Sequence, residues 1–151
     1  MLDYILLVED DELDLSFTIR ALRLCSVEVP VRVARDGEDV LAMLDGAQGG
    51  KPVLILLDLR IPKVDGFAIL KHIRRTPSID AIPVIIVSGL LPEADRVRAM
   101  LLGANNCVVK AFEFADFAQQ LALALLPYAG SLNVGGRSAP PARRAGDRLQ
   151  A

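Results

Sequence analysis

The chain has no tryptophan, only two cysteines, a single histidine and 5% aromatic residues. Cys25 and Cys107 share no metal-ligand spacing and are expected to be free thiols in the core. Without a set of His and Cys ligands, a Zn²⁺ centre is excluded. No apolar run approaches membrane-spanning length, and Met1-Leu2-Asp3-Tyr4 has neither the basic region nor the cleavage site of a secretion signal, so a cytosolic location is expected. Basic excess is missing too: the net charge is -2, and the four Arg and one Asp between Tyr128 and Ala151 leave the preceding residues at -5. A mildly acidic body, and an Arg-containing end whose only aromatic is Tyr128, argue against nucleic acid as the main partner.

What the chain does have is aliphatic bulk. Its 151 residues are 52% hydrophobic and 24% charged, enough for one domain with a core of Leu, Ile, Val and Ala. Leu54-Ile55-Leu56-Leu57, preceded by Val53, is too short for a free-standing helix and too apolar for a half-exposed strand. It reads as a fully buried central strand ending at Asp58. Tyr4–Val8 is a similar run ending in Glu9-Asp10-Asp11-Glu12, and Ile82–Val87 another, closing on Ser88-Gly89. Cys107–Val109 ends at Lys110, and Val29–Ala34 forms a further strand whose Pro30 confines it to an edge or a strand start.

Helical spacing fills the intervals. Leu13, Phe17, Ala21 and Leu24 predict a first helix, capped by Asp10 or Asp11, and Val40, Leu41 and Leu44 a second that stops before Gly46. Phe67, Leu70 and Ile73 mark a third ending at Thr76-Pro77, and Pro92 opens a fourth that contains Val97, Met100 and Leu101 and is closed by Gly103. Phe114, Phe117, Leu121 and Leu125 mark a fifth. Five strands alternating with five helices imply an α/β fold, a doubly wound parallel sheet with right-handed crossovers. The expected domain is 1–127, with a flexible tail from 128 to 151.

In a parallel sheet the carboxyl ends of the strands share one edge, so Glu9, Asp10, Asp58, Ser88 and Lys110 are delivered to one rim. Singly, each has a plainer reading: acids in a first helical turn, a capping aspartate, a surface lysine. Together they make a cluster whose carboxylates repel by roughly 1 to 4 kcal/mol per pair at about 4 Å, and which therefore needs positive charge. Lys110 supplies one charge, and Mg²⁺, which takes a few carboxylate oxygens and keeps waters, suits the remainder. A carboxylate nucleophile attacking phosphorus needs a metal, an ammonium and a hydroxyl on the phosphoryl oxygens. Asp58, Mg²⁺, Lys110 and Ser88 match those roles. His72, between Lys71 and Arg74, is expected in solvent.

Over residues 4 to 126 this pattern resembles the receiver domain of two-component response regulators. The resemblance rests on Leu7-Val8-Glu9-Asp10, on Asp58 within Leu56-Leu57-Asp58-Leu59-Arg60-Ile61-Pro62, and on Gly66, Ser88, Gly89 and Lys110. It implies a flavodoxin-like fold with strand order 2-1-3-4-5 and Asp58 as phosphoacceptor. It also implies Mg²⁺ held directly by Asp10 and Asp58, by Glu9 through water and by the Arg60 carbonyl. The implied donor is a phosphohistidine on a sensor histidine kinase, and the Val-Glu-Asp form looks most like stand-alone receivers, including those paired with phytochrome-type kinases.

Two positions depart from the family pattern. Ala111 stands where the family usually has proline, often after a cis bond. Cys107 stands where it commonly has an aromatic residue that swings inward, so switching is expected to rely on Ser88 and on the fourth helix and fifth strand. Competing readings are a small phosphatase of the haloacid dehalogenase type, which would need an aspartate where Arg60 stands, and a receiver-like scaffold that works without phosphorylation. The run Leu121-Ala122-Leu123-Ala124-Leu125-Leu126 has more apolar residues than one buried stripe requires, and a homodimer is expected.

Overall fold

A computed structural model of the chain describes residues 3–46 and 50–134. Strands β1 (Tyr4–Val8), β2 (Val31–Ala34), β3 (Pro52–Leu57), β4 (Val84–Ser88) and β5 (Asn106–Val109) form one sheet in the order β2-β1-β3-β4-β5. Every pairing is parallel. The connecting helices are α1 (Glu12–Leu24), α2 (Gly37–Asp45), α3 (Gly66–Arg75) and α4 (Glu93–Leu101), with α5 (Phe114–Leu125) after the last strand.

The central strands hold their place because both faces of the sheet are covered. Leu54 and Leu56 pack into a core with residues of α1 and α5, whereas Ile55 and Leu57 pack into a second core with α2, α3 and α4. Leucine favours helix over other states by less than about 1 kcal/mol per residue, while full burial of an aliphatic side chain stabilises by roughly 1.5–3 kcal/mol, so burial decides the conformation. All of β1 is buried likewise. Pro30 precedes the edge strand β2, where its carbonyl accepts from the Ile5 N–H at 2.9 Å and its missing donor costs the sheet nothing. Asp11 caps α1 by accepting from the Asp14 N–H at 2.9 Å, and Asp36 and Asp65 cap α2 and α3 in the same way. Gly103 follows α4 with φ of 110°, in the left-handed region that an L side chain rarely adopts.

Several expected faces are rotated. The side of α1 that meets the sheet carries Leu15, Thr18, Ala21 and Leu22, whereas Leu13 and Leu24 are 80% and 66% exposed. Phe17 lies at the margin, stacked on Phe117 and edge-on to Phe114. On α4 only Ala99 is buried, and Val97, Met100 and Leu101 face outward. Cys25 and Cys107 sit half-buried at the borders of the core rather than inside it, and burial raises both thiols above their ordinary range. His72 is partly exposed on α3 and lies 3.3 Å from Asp45.

The described beginning of the segment expected as a tail is helical. Leu126–Tyr128 form a 3-10 turn and Ala129–Leu132 a short helix, α6. Pro127 sits in the first turn of this extension, where its missing N–H is not needed, so it opens a helical turn instead of ending one. Leu132 is fully buried in the α1/α5 core. Residues 135–151 of the expected tail lie outside the described residues.

Candidate functional site

All five strands end on the same edge of the sheet, and the residues immediately after β1, β3 and β5 are held by backbone bonds that continue the ladders. The Glu9 N–H donates to the Ala34 carbonyl at 3.0 Å, the Asp58 N–H to Val8 at 3.2 Å and the Lys110 N–H to Ser88 at 2.9 Å. These bonds fix where the side chains start. Glu9 and Asp58 are 2% and 7% exposed, while Asp10 on the same loop is open to solvent. Each of the three offers a carboxylate oxygen within 4.8 Å of the others.

Lys110 crosses from the edge strand into this cluster, with 7% of its side chain exposed. Its Nζ donates to Glu9 Oε1, to Asp58 Oδ2 at 3.1 Å and to Asp14 Oδ2 at 2.9 Å. An ammonium has three donors, and all three are directed at carboxylates. Burial alone would lower the Lys110 ammonium, but its hydrogen bonds to Glu9 and Asp14 and the charge of Asp58 prevail and raise it well above the ordinary lysine range. Glu9 is pushed up to about 7, first by burial and further by the Asp58 charge, against the pull of Lys110.

Asp58 is placed by the loop behind it. Its Oδ1 accepts from the Arg60 N–H at 3.0 Å. Gly66 approaches so closely that a Cβ there would stand 2.6 Å from Leu59 Cα and 3.0 Å from the Asp58 carbonyl, and its N–H donates to the Leu59 carbonyl at 3.1 Å. A side chain at 66 would push this loop outward. The Arg60 side chain points away from the cluster, to Asp95 at 2.9 Å on α4. Ser88 is buried at the end of β4, and its hydroxyl donates to the Leu90 carbonyl at 3.0 Å rather than to a carboxylate. No described peptide bond is cis, so Lys110–Ala111 is trans. In place of an aromatic ring, Cys107 has its Sγ 3.8 Å from Met100 Sδ.

Glu9, Asp10, Asp58 and Lys110 are thus brought together, with Ser88 beside them on β4 and the Arg60 backbone bonded to Asp58. Asp14 was missed by sequence reasoning. With Leu13 read as a core position, Asp14 falls on the solvent side of α1, whereas the helix is turned so that Leu13 is exposed and Asp14 faces Lys110. The usable signal was the spacing from Asp11: a cap residue and the third residue after it lie on one side of a first turn.

The donor set is all oxygen and anionic, as a hard divalent cation requires, so the residues present fit Mg²⁺ or a similar ion. Among the described residues no helix is long and apolar enough to cross a membrane.

Residues 5–122 match the sequence profile described as the response regulator receiver domain. A relative in Methanothrix harundinacea, the probable methanogenesis regulatory protein FilR2, is 34% identical over 115 residues, which is 74% of this chain and 74% of the relative. Among solved structures, the phosphorylated cyanobacterial phytochrome response regulator RcpA superposes with a TM-score of 0.77 at 29% identity, covering 90% of this chain and 100% of that one. The Mn²⁺-bound form of response regulator Rcp1 gives 0.73 at 28% identity, covering 91% and 98%.

Proposed function

The chain belongs to the response regulator receiver domain family, and from that premise we propose that it accepts a phosphoryl group on Asp58 from a phosphohistidine of a sensor histidine kinase. The observation that carries this is one buried ammonium, Lys110, hydrogen-bonded at once to Asp58 and Glu9, two of three converging carboxylates. In the proposed step a carboxylate oxygen of Asp58 attacks phosphorus, the P–N bond breaks, and its electron pair leaves with the imidazole nitrogen. Lys110 gives up its bond to Asp58 for a phosphoryl oxygen. Ser88 rotates its hydroxyl from the Leu90 carbonyl to a second one, a turn about one side-chain bond. Mg²⁺ would be held by Asp10 and Asp58 directly, by Glu9 through water and by the Arg60 carbonyl, and when bound it neutralises the remaining phosphoryl charge. Likeness to a phytochrome response regulator supports a phytochrome-type kinase as donor, and with such a donor the reaction belongs in the cytosol.

Incubation of the full chain with Mg²⁺ and acetyl phosphate tests this reading by intact mass, since there is no tryptophan to report fluorescence. One phosphoryl adduct per chain, labile to hydroxylamine and absent when the divalent ion is chelated, is expected. Continuous turnover of phosphate esters would instead favour the phosphatase reading, and no adduct under any condition the scaffold.

For output we propose a homodimer. Leu101, Val109 and Leu123, on α4, β5 and α5, are 82%, 47% and 55% exposed, and large apolar side chains left open to solvent favour burial against a second copy. Light scattering should give twice the chain mass in the presence of beryllofluoride. A monomer mass at all concentrations, with and without it, overturns the proposal.

A further inference from the structure

We propose that Asp14 is a positioning residue for Lys110, an inference that rests on the phosphoryl-transfer reading above. Lys110 and Asp14 are far apart in sequence, and their bond, Nζ to Oδ2 at 2.9 Å, spans from the loop after β5 to the first turn of α1. Asp14 has little else to do: its side chain is 43% exposed and shares no hydrogen bond with any other described side chain. Its backbone N–H, donated to Asp11, keeps that turn in place.

The three acceptors around the ammonium have different fates in the reaction. Asp58 becomes the phosphoryl carrier, so its bond to Lys110 must pass to a phosphoryl oxygen. Glu9 belongs to the cation cluster and shares its charge with whatever cation is bound there. Asp14 is outside that cluster. It is the acceptor that stays, and it keeps the flexible lysine stem aimed over Asp58 while the other two bonds are exchanged. A fixed ammonium loses less rotamer freedom in the transition state than one that must first be ordered.

The role is separable by two variants. Asp14→Asn keeps an acceptor oxygen at the same place, whereas Asp14→Ala removes it. The ammonium resonance of Lys110 in ¹⁵N-labelled full chain, without divalent ion or phosphoryl donor, should be protected from water exchange in the wild type and in Asp14→Asn and lost in Asp14→Ala. With Mg²⁺ and acetyl phosphate, Asp14→Ala should phosphorylate roughly three- to tenfold more slowly and Asp14→Asn within about twofold of wild type. In a Lys110→Ala background, Asp14→Ala should have no further effect on the residual rate.

An unchanged ammonium resonance and a wild-type rate in Asp14→Ala would overturn the inference. So would an equal, additive loss in the Lys110→Ala background, because Asp14 would then act by another route. If the wild type takes no phosphoryl group at all, the functional reading falls, while the resonance still decides whether Asp14 holds the ammonium.

Discussion

The chain carrying Asp58→Asn is expected to take up no phosphoryl group from acetyl phosphate or a phosphorylated kinase, while folding as the wild type does. The amide has no anionic oxygen to form a bond to phosphorus, and no neighbour replaces it in the same position. Glu9 is bonded to Lys110 and to the Asp11 N–H, and Asp10 lies on the exposed loop of a different strand. Folding should change little. The asparagine oxygen can still accept from the Arg60 N–H, as Asp58 Oδ1 does at 3.0 Å, and Lys110 retains Glu9 and Asp14. One hydrogen bond is exchanged against the relief of one buried like-charge contact, so stability should stay within about 1 kcal/mol of wild type. Intact mass and a denaturant titration check the two halves. An adduct at wild-type stoichiometry in this variant would move the acceptor to another residue, which peptide mapping would identify.

Strand identity and the convergence of the rim were legible because both depend on runs of consecutive residues. A buried parallel strand needs apolar side chains on both faces, so Tyr4–Val8 and Leu54–Leu57 declare themselves without knowledge of their neighbours, whereas the strand order was implied only by the resemblance to receiver domains. The helices were harder, because their buried side is chosen by the sheet they lie on. On α1, both the stripe through Leu13 and the one through Leu15 have helical spacing, and only contact with Ile5, Leu7 and Phe117 selects the second. That choice also turned Asp14 toward Lys110. On α4 a single alanine is buried, and Val97, Met100 and Leu101, which have helical spacing of their own, face outward. The extension through Leu132 was illegible for a similar reason: its one fully buried residue is Leu132, with Tyr128 packed partly beside it, in a stretch otherwise typical of a linker.

Ser88 and Arg60 show where residue type runs out. A serine at the end of β4 announces a hydroxyl at the rim, but not its partner, which is the Leu90 carbonyl at 3.0 Å. Arg60 is charged and two residues from Asp58, yet only its backbone touches the carboxylate, because Asp95 at the start of α4 takes the guanidinium.

Lys110→Ala should be the most destabilising substitution at the rim, and its cost should depend on pH and on divalent cation. The ammonium compensates two carboxylates that are almost wholly withdrawn from water, Glu9 and Asp58. Removing one partner of a buried ion pair costs about 3–5 kcal/mol. The lower end applies here, because Glu9, already pushed up to about 7 by burial, takes up a proton readily once its cation is gone. A loss of about 3 kcal/mol corresponds to a fall of roughly 10 °C in Tm for a domain of this size. Without Lys110 the folded-state pKa of Glu9 rises further above that of the unfolded chain, so the folded variant binds protons more tightly. Its stability is therefore retained below the ordinary carboxylate range and is lost as pH rises through about 7 and beyond, so the deficit relative to wild type narrows on acidification. Mg²⁺ should narrow it as well, by supplying the positive charge that the lysine no longer does, and should raise the Tm of the variant more than that of the wild type. Thermal melts at several pH values, with and without the cation, read both effects. Equal stability of variant and wild type across about pH 5 to pH 8 would show that the carboxylates at the rim do not need the ammonium.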